Sequence, residues 1–297
     1  MIPNFNFQKK RLTLPDQTTV AYLDTGHDAA KPTLVMVHGL GNNASVWLRL
    51  MAQIQGQYRC IALDLPAHGD SQACTQACGI NYFSATVEGL IEGLQLGQVM
   101  LMGHSMGGLV SIKTILRKPT VVKQCILLAP AGFETFTLKE KAWLKAIYAV
   151  WMLKKMSAAR MEQQTRESFF RFPPDFEFAV QEIIAIRESP EAFEAYCETL
   201  SLCMNSLLNE SVFDTLSTIS LPCTVFFGIE DLTIPNKVLH PNLTAIEVAE
   251  QGTRKIPNAT LHLIPECGHT LQWEAADQIA DFLLNLVSYS SSAGSGR

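Results

Sequence analysis

Val99-Met100-Leu101-Met102-Gly103-His104-Ser105-Met106-Gly107-Gly108-Leu109 is the stretch from which the fold of this chain can be read. Its first four residues form a short apolar run of the kind a strand makes when both its faces are buried. Residues 109–117 then carry apolar side chains at three- and four-residue spacing, which predicts a helix. Between them lies G-x-S-x-G, placed on a strand–turn–helix. A strand that turns so sharply into a helix strains its central residue, and the flanking glycines let backbone and helix approach closely. Ser105 is left projecting above the strand ends. The amide of Met106, at the helix N-terminus, points to where negative charge would develop on a reacting carbonyl.

The same alternation extends outward in both directions. Compact apolar runs at 33–37, 60–65, 125–128, 223–227 and 260–264, with a weaker alternation at 19–23, read as further strands. Residues 44–54, 83–96 and 275–287 carry helical periodicity. Strand and helix in series predict an α/β fold, a mostly parallel sheet covered by helices. One interval breaks the rhythm: residues 133–214 hold no convincing strand, and Leu144, Ile147, Tyr148 and Trp151 share one helical stripe there. The expected organisation is a core of residues 1–132 and 215–287, a helical cap of residues 133–214 and a flexible Ser/Gly-rich tail of residues 288–297.

Composition narrows the class. The chain has 297 residues, 47% hydrophobic and 17% charged, an ordinary globular balance. A net charge of −5 provides no overall attraction to phosphate backbones, so nucleic acid is not an expected partner. No apolar run is long enough to span a bilayer, and nothing behind Lys9-Lys10-Arg11 resembles a signal peptide. The eight cysteines include one close pair, Cys74 and Cys78, with no second pair to complete a metal site. They read as free thiols in a reducing compartment, hence a cytoplasmic protein with no metal and no disulfide framework. The insertion is lopsided in charge: residues 133–171 hold eight basic and four acidic side chains, residues 172–214 one and nine. The basic, Trp-containing half suits either weak contact with a lipid surface or simple packing with its lysines in water.

A serine nucleophile needs a base, and the base needs an orienting acid. Asp231, in Phe227-Gly228-Ile229-Glu230-Asp231, and His269, in Cys267-Gly268-His269, each follow a predicted strand and so share the edge of the sheet with Ser105. In open α/β sheets that edge is where ligands bind. Glu230 is a rival acid beside Asp231. In Val37-His38-Gly39-Leu40-Gly41, glycines flank Leu40, and its amide is the expected second oxyanion donor beside that of Met106. His38 is expected to hydrogen-bond and fix this loop.

These motifs resemble the α/β-hydrolase superfamily over nearly the whole chain. His38-Gly39-Leu40-Gly41 is similar to the family's oxyanion loop. Asp64-Leu65-Pro66-Ala67-His68-Gly69-Asp70-Ser71 is similar to its D-x-P-G-x-G-x-S turn, with Ala67 in place of a glycine. The resemblance implies an eight-stranded sheet, a cap inserted after Ala129-Pro130-Ala131-Gly132, and the triad Ser105, Asp231 and His269. A serine at the elbow, rather than an aspartate, points away from epoxide hydrolases and haloalkane dehalogenases. The expected activity is hydrolysis of a small-molecule carboxylic ester, with a short- to medium-chain acyl group and no cofactor, falling off below about pH 6 to 7 as the base protonates. The same triad also serves carbon–carbon bond hydrolases of ring-cleavage diketones, thioesterases and cofactor-free haloperoxidases, and the fold serves small-molecule receptors. His104, Phe133, Trp143 and Trp151 are candidates for contact with substrate. With Phe136, Phe169, Phe170 and Met152, the three aromatics among them suit an acyl pocket and the insertion's own core equally.

Overall fold

The structure, a computed structural model, describes residues 7–74 and 78–294, with side-chain burial through residue 286. Eight strands form one sheet: β1 (Lys9–Thr13), β2 (Thr19–Asp24), β3 (Thr33–Val37), β4 (Arg59–Leu63), β5 (Val99–His104), β6 (Val122–Leu128), β7 (Cys223–Gly228) and β8 (Ala259–Ile264), in the order β1-β2-β4-β3-β5-β6-β7-β8. β2 runs antiparallel to both β1 and β4, and all other pairings are parallel. Every residue of β5 and β7 is buried, which explains their continuous apolar sequence. Connecting helices such as Ile80–Gly93, Met106–Arg117 and Ala276–Gly294 cover the sheet.

β1 has no counterpart among the apolar runs. It is one of the sheet's two edge strands, opposite β8, and its charges mark its exposed position. Lys9 reaches Asp64 and Asp70, Lys10 reaches Asp24, and Arg11 donates to the Asp70 carbonyl. The last helix continues to Gly294, so the backbone of the expected tail is helical up to that residue; residues 295–297 lie outside the described ones. Residues 1–6 of the expected leaderless N-terminus also lie outside them.

Between β6 and β7 the described chain forms helices only: Leu138–Ile147, Val150–Leu153, Ala158–Glu167, Glu177–Glu188 and Pro190–Asn209, with short 3-10 turns. Thr137 and Glu140 cap the first of these reciprocally. The stripe from Leu144 to Trp151 is not one helix. Ala149 adopts an extended conformation (φ −63°, ψ 141°) and starts a new helix, so Trp151 turns away from the face that Leu144 buries. Leu153, Met161, Phe193, Cys197 and Leu200 form a small hydrophobic cluster separate from the main core.

Two of the eight cysteines are not free thiols. Cys74 and Cys78 are joined by a disulfide, because the chain folds back after β4 and brings their Cα atoms to 5.7 Å. This removes two members from the set of thiols on which the expectation of a reducing compartment rested. The other six are buried and free. No helix among the described residues is long and apolar enough to cross a membrane.

Candidate active site

Ser105 sits between β5 and the helix Met106–Arg117 at φ 53°, ψ −119°, a conformation that L-residues rarely adopt. The turn can be this tight only because its neighbours lack side chains. A Cβ on Gly103 would strike the Gly107 carbonyl, and one on Gly107 would strike the carbonyls of Val37 and His38. The strain is held by hydrogen bonds. Ser105 N donates to Leu128 O at 2.9 Å, and its carbonyl accepts from the amides of Gly108 and Ala131, each at 2.9 Å. The Ser105 hydroxyl has no hydrogen-bond partner among the described residues, and it faces a cavity of about 1560 Å³ between the sheet edge and the helical insertion.

The loop after β3 is held by His38. Its Nδ1 donates to Gly39 O (2.8 Å), while its Nε2 accepts from the Leu65 amide (3.0 Å), so the ring is neutral and fully used. Burial, with His68 nearby, pushes its pKa well below the ordinary imidazole value. A Cβ on Gly39 would come within 3.1 Å of both His104 Nδ1 and Ser105 Cβ, which is how closely this loop approaches the elbow. The amides of Leu40 and Met106 donate to no acceptor among the described residues, and both residues line the cavity.

Asp231 and His269 follow β7 and β8. His269 Nδ1 donates to Asp231 Oδ2 at 2.7 Å, and both residues are buried. The other carboxylate oxygen, Oδ1, accepts from the amides of Thr233 (2.7 Å) and Ile234 (3.0 Å). The rival Glu230 turns elsewhere, its Oε2 accepting from the Cys267 amide at 3.1 Å. Gly228 allows the two loops to meet, since a Cβ there would strike the carbonyls of Cys267 and Gly268. His269 lines the same cavity as Ser105, so its Nε2 is left for the serine or for a leaving group.

The His269 loop is also stapled to the insertion. The amides of His269 (2.7 Å) and Thr270 (3.0 Å) donate to Ser168 O. The Glu274 carboxylate accepts from Gly268 N (2.8 Å), Phe170 N (3.1 Å) and Arg171 N (2.7 Å). Glu274 carries no motif, and only the fold shows that it bridges two distant segments.

The residues expected to touch substrate divide. His104 lines the cavity, but its Nε2 donates to His269 O (2.8 Å) and its Nδ1 accepts from Gln272 (3.3 Å), so both nitrogens are committed to protein. Phe133 is 1% exposed, packed over Gly252 and stacked on Phe227, and belongs to the core. Trp143 and Trp151, 39% and 58% exposed, lie outside the cavity lining; for Trp151 the cause is the break at Ala149, which starts a new helix. The apolar wall consists instead of Met152, Met156, Ile183, Ile186 and Leu200, with Tyr148 and Tyr196. Of the further residues the sequence offers for an acyl pocket, Met152 and Phe136 line the cavity, and Phe169 and Phe170 do not. The signal for part of the rest of the wall is the spacing of Tyr196, Leu200 and Leu207 along one face of the helix Pro190–Asn209.

Comparison with known proteins agrees with this architecture. Residues 34–282 match the alpha/beta hydrolase family. The dihydrolipoyllysine-residue acetyltransferase component of the acetoin cleaving system of Pseudomonas putida is 27% identical over 89% of this chain, which spans 65% of that protein's length. A 2-hydroxy-6-oxononadienedioate/2-hydroxy-6-oxononatrienedioate hydrolase of Paraburkholderia phymatum is 26% identical, with 90% of each chain covered. Among solved structures, a thermophilic esterase from Thermogutta terrifontis superposes with a TM-score of 0.75 at 20% identity, covering 95% of this chain and 98% of the esterase. At that identity the likeness is one of fold.

Proposed function

The chain belongs to the alpha/beta hydrolase family, and from that premise we propose that it is a serine-dependent hydrolase of carboxylic esters. The observation that carries this reading is the 2.7 Å hydrogen bond between His269 and Asp231 beside a cavity that also exposes the strained Ser105. His269 takes the Ser105 proton as the hydroxyl attacks the ester carbonyl, and Asp231 holds the imidazole in the tautomer whose Nε2 is free to accept it. The oxyanion rests on the amides of Leu40 and Met106, which no protein acceptor occupies. His269 then returns the proton to the departing alcohol, and a water molecule releases the acid by the same route. The acyl group lodges against Met152, Met156, Ile183, Ile186 and Leu200, and a short- to medium-chain acyl group fits easily within this volume.

Ser105→Ala tests the assignment. Turnover of a p-nitrophenyl ester should fall by roughly 10⁴-fold or more, with the fold retained by circular dichroism and labelling by a fluorophosphonate lost. Activity retained in this variant would sink the proposal. The likeness to the Paraburkholderia phymatum hydrolase favours a second reading, carbon–carbon bond hydrolysis with the same three residues. Turnover of a ring-cleavage diketone by wild-type enzyme, with no ester turned over, would establish it in place of the first.

A further inference from the structure

Two polar groups stand on the apolar wall of the cavity without a protein partner among the described residues. Tyr148 and Tyr196 both line the space that Ser105 faces, and neither hydroxyl has a hydrogen-bond partner among the described residues. Both rings pack on the insertion's cluster of Leu153, Met161, Phe193, Cys197 and Leu200, where phenylalanine would pack as well without a polar atom to satisfy. Tyr196 Oη lies 3.0 Å from where a Cβ would sit on Gly41, the residue after Leu40. It therefore borders the loop whose amide is assigned to the oxyanion. Burial raises the pKa of both phenols, and the neighbouring Tyr148 raises that of Tyr196 further. Both remain protonated and can donate. The Glu182 carboxylate, held by Asn43 Nδ2 at 2.9 Å, lines the same cavity and would repel an anion placed beside it.

We propose that Tyr148 and Tyr196 form a hydrogen-bonding subsite for an uncharged oxygen on the acyl chain, so that the preferred substrates are esters of oxo- or hydroxy-acids rather than plain alkanoates. This rests on the ester-hydrolase reading. A phenol that finds an acceptor only in the bound substrate discriminates strongly against an analogue lacking that oxygen, because the site's donor is then left unpaired.

The test compares kcat/KM for ethyl hexanoate with ethyl hexanoates carrying an oxo group at carbon 3, 4 or 5, followed by pH-stat titration. Wild-type enzyme should favour at least one oxo ester by about 10-fold or more. Tyr196→Phe, alone and with Tyr148→Phe, should bring that ratio close to one, with thermal melts confirming that the variants fold. The same preference surviving in the double variant overturns the subsite, as does a wild-type enzyme indifferent to the oxo group. A tyrosine-dependent preference for the monoethyl ester of a dicarboxylic acid overturns the uncharged character of the ligand. Wild-type enzyme that turns over none of these esters, plain hexanoate included, overturns the ester-hydrolase reading itself, and that failure is thereby kept distinct.

Discussion

The carboxyl edge of the sheet and the helical insertion above it are built differently. At the edge, the imidazoles and the carboxylate around Ser105 are tied to protein partners. His38 and His104 use both ring nitrogens, and Asp231 receives two amides and one imidazole. The insertion has a cluster of only five buried residues, its four methionines border the cavity, and two of its tyrosine hydroxyls have no protein partner among the described residues. Leu40 packs against both the main core and that cluster, so the oxyanion loop is where the two regions meet. A hydrogen-bond network of this kind holds reacting groups in place before substrate arrives. A wall of flexible side chains adapts to what it binds. Under the proposed ester hydrolysis, this difference puts the reaction at the edge and the choice of substrate at the insertion.

The strongest way to break this division is at Asp231. Asp231→Asn should lower kcat by about 10⁴-fold, because the amide stabilises the wrong imidazole tautomer, while Glu230→Gln, whose carboxylate binds the Cys267 amide, should change kcat by less than about threefold. Steady-state kinetics on one ester decides between them. Equal losses in both variants would mean that the acid is shared and the edge less specialised than its hydrogen bonds indicate.

How far these regions were legible in the sequence follows the same division. The elbow can be read because Gly103 and Gly107 have no alternative where a Cβ would strike backbone. β5 and β7 can be read because strands buried on both faces are apolar throughout or nearly so. β1 is hidden because an edge strand carries Lys9, Lys10 and Arg11, whose partners are distant in sequence. Asp231 and His269 can be nominated from their places at strand ends, but the choice of Asp231 over Glu230 depends on loop geometry that no local pattern encodes. The insertion resists reading more strongly. One extended residue, Ala149, redirects Trp151, and Phe133 joins the core through Gly252 rather than entering the cavity. Ala67 stands at φ 63° where the resemblance puts a glycine, so the turn keeps its shape despite the substitution.

Acid should loosen the edge and not the insertion. His38, His68 and His104 are buried, and burial holds each pKa below its ordinary value, that of His38 and His104 well below. In the unfolded chain all three titrate near about 6.5. Below that pH the unfolded state binds more protons than the folded one. The stabilisation is therefore complete above about pH 6.5 and is lost as pH falls toward the folded-state values, at up to about 1.4 kcal/mol per pH unit for each imidazole. Residues 133–214 contain no histidine, so no imidazole of the insertion adds to this slope. Urea titrations at pH 7.5, 6.5 and 5.5 should show a stable plateau and then a falling midpoint. A midpoint unchanged at pH 5.5 would mean that these rings accept protons while buried.

Where edge and insertion are joined, the effect should be smaller and specific to turnover. Glu274 accepts amides from both sides of the junction, and a glutamine in its place keeps one acceptor oxygen. Glu274→Gln should lower kcat by about 10-fold and Glu274→Ala by about 100-fold, with KM changed much less, because the loop bearing His269 loses its anchor and shifts. A purely structural role would show itself differently: a lower melting temperature with kcat intact at 25 °C.

The smallest effect is expected at Trp151, outside the cavity and 58% exposed, with Lys155 Nζ 4.6 Å from its ring centroid. If the cavity wall alone selects the substrate, Trp151→Ala should change stability by less than about 0.5 kcal/mol and leave kcat/KM on dissolved esters as it was. Dissolved and micellar esters should then respond alike. A loss confined to the micellar ester would give this basic, Trp-bearing segment a surface to hold and extend the insertion's role from choosing a molecule to finding it. A loss on both would instead bring Trp151 back to the cavity, and with it the reading of the stripe as one continuous helix.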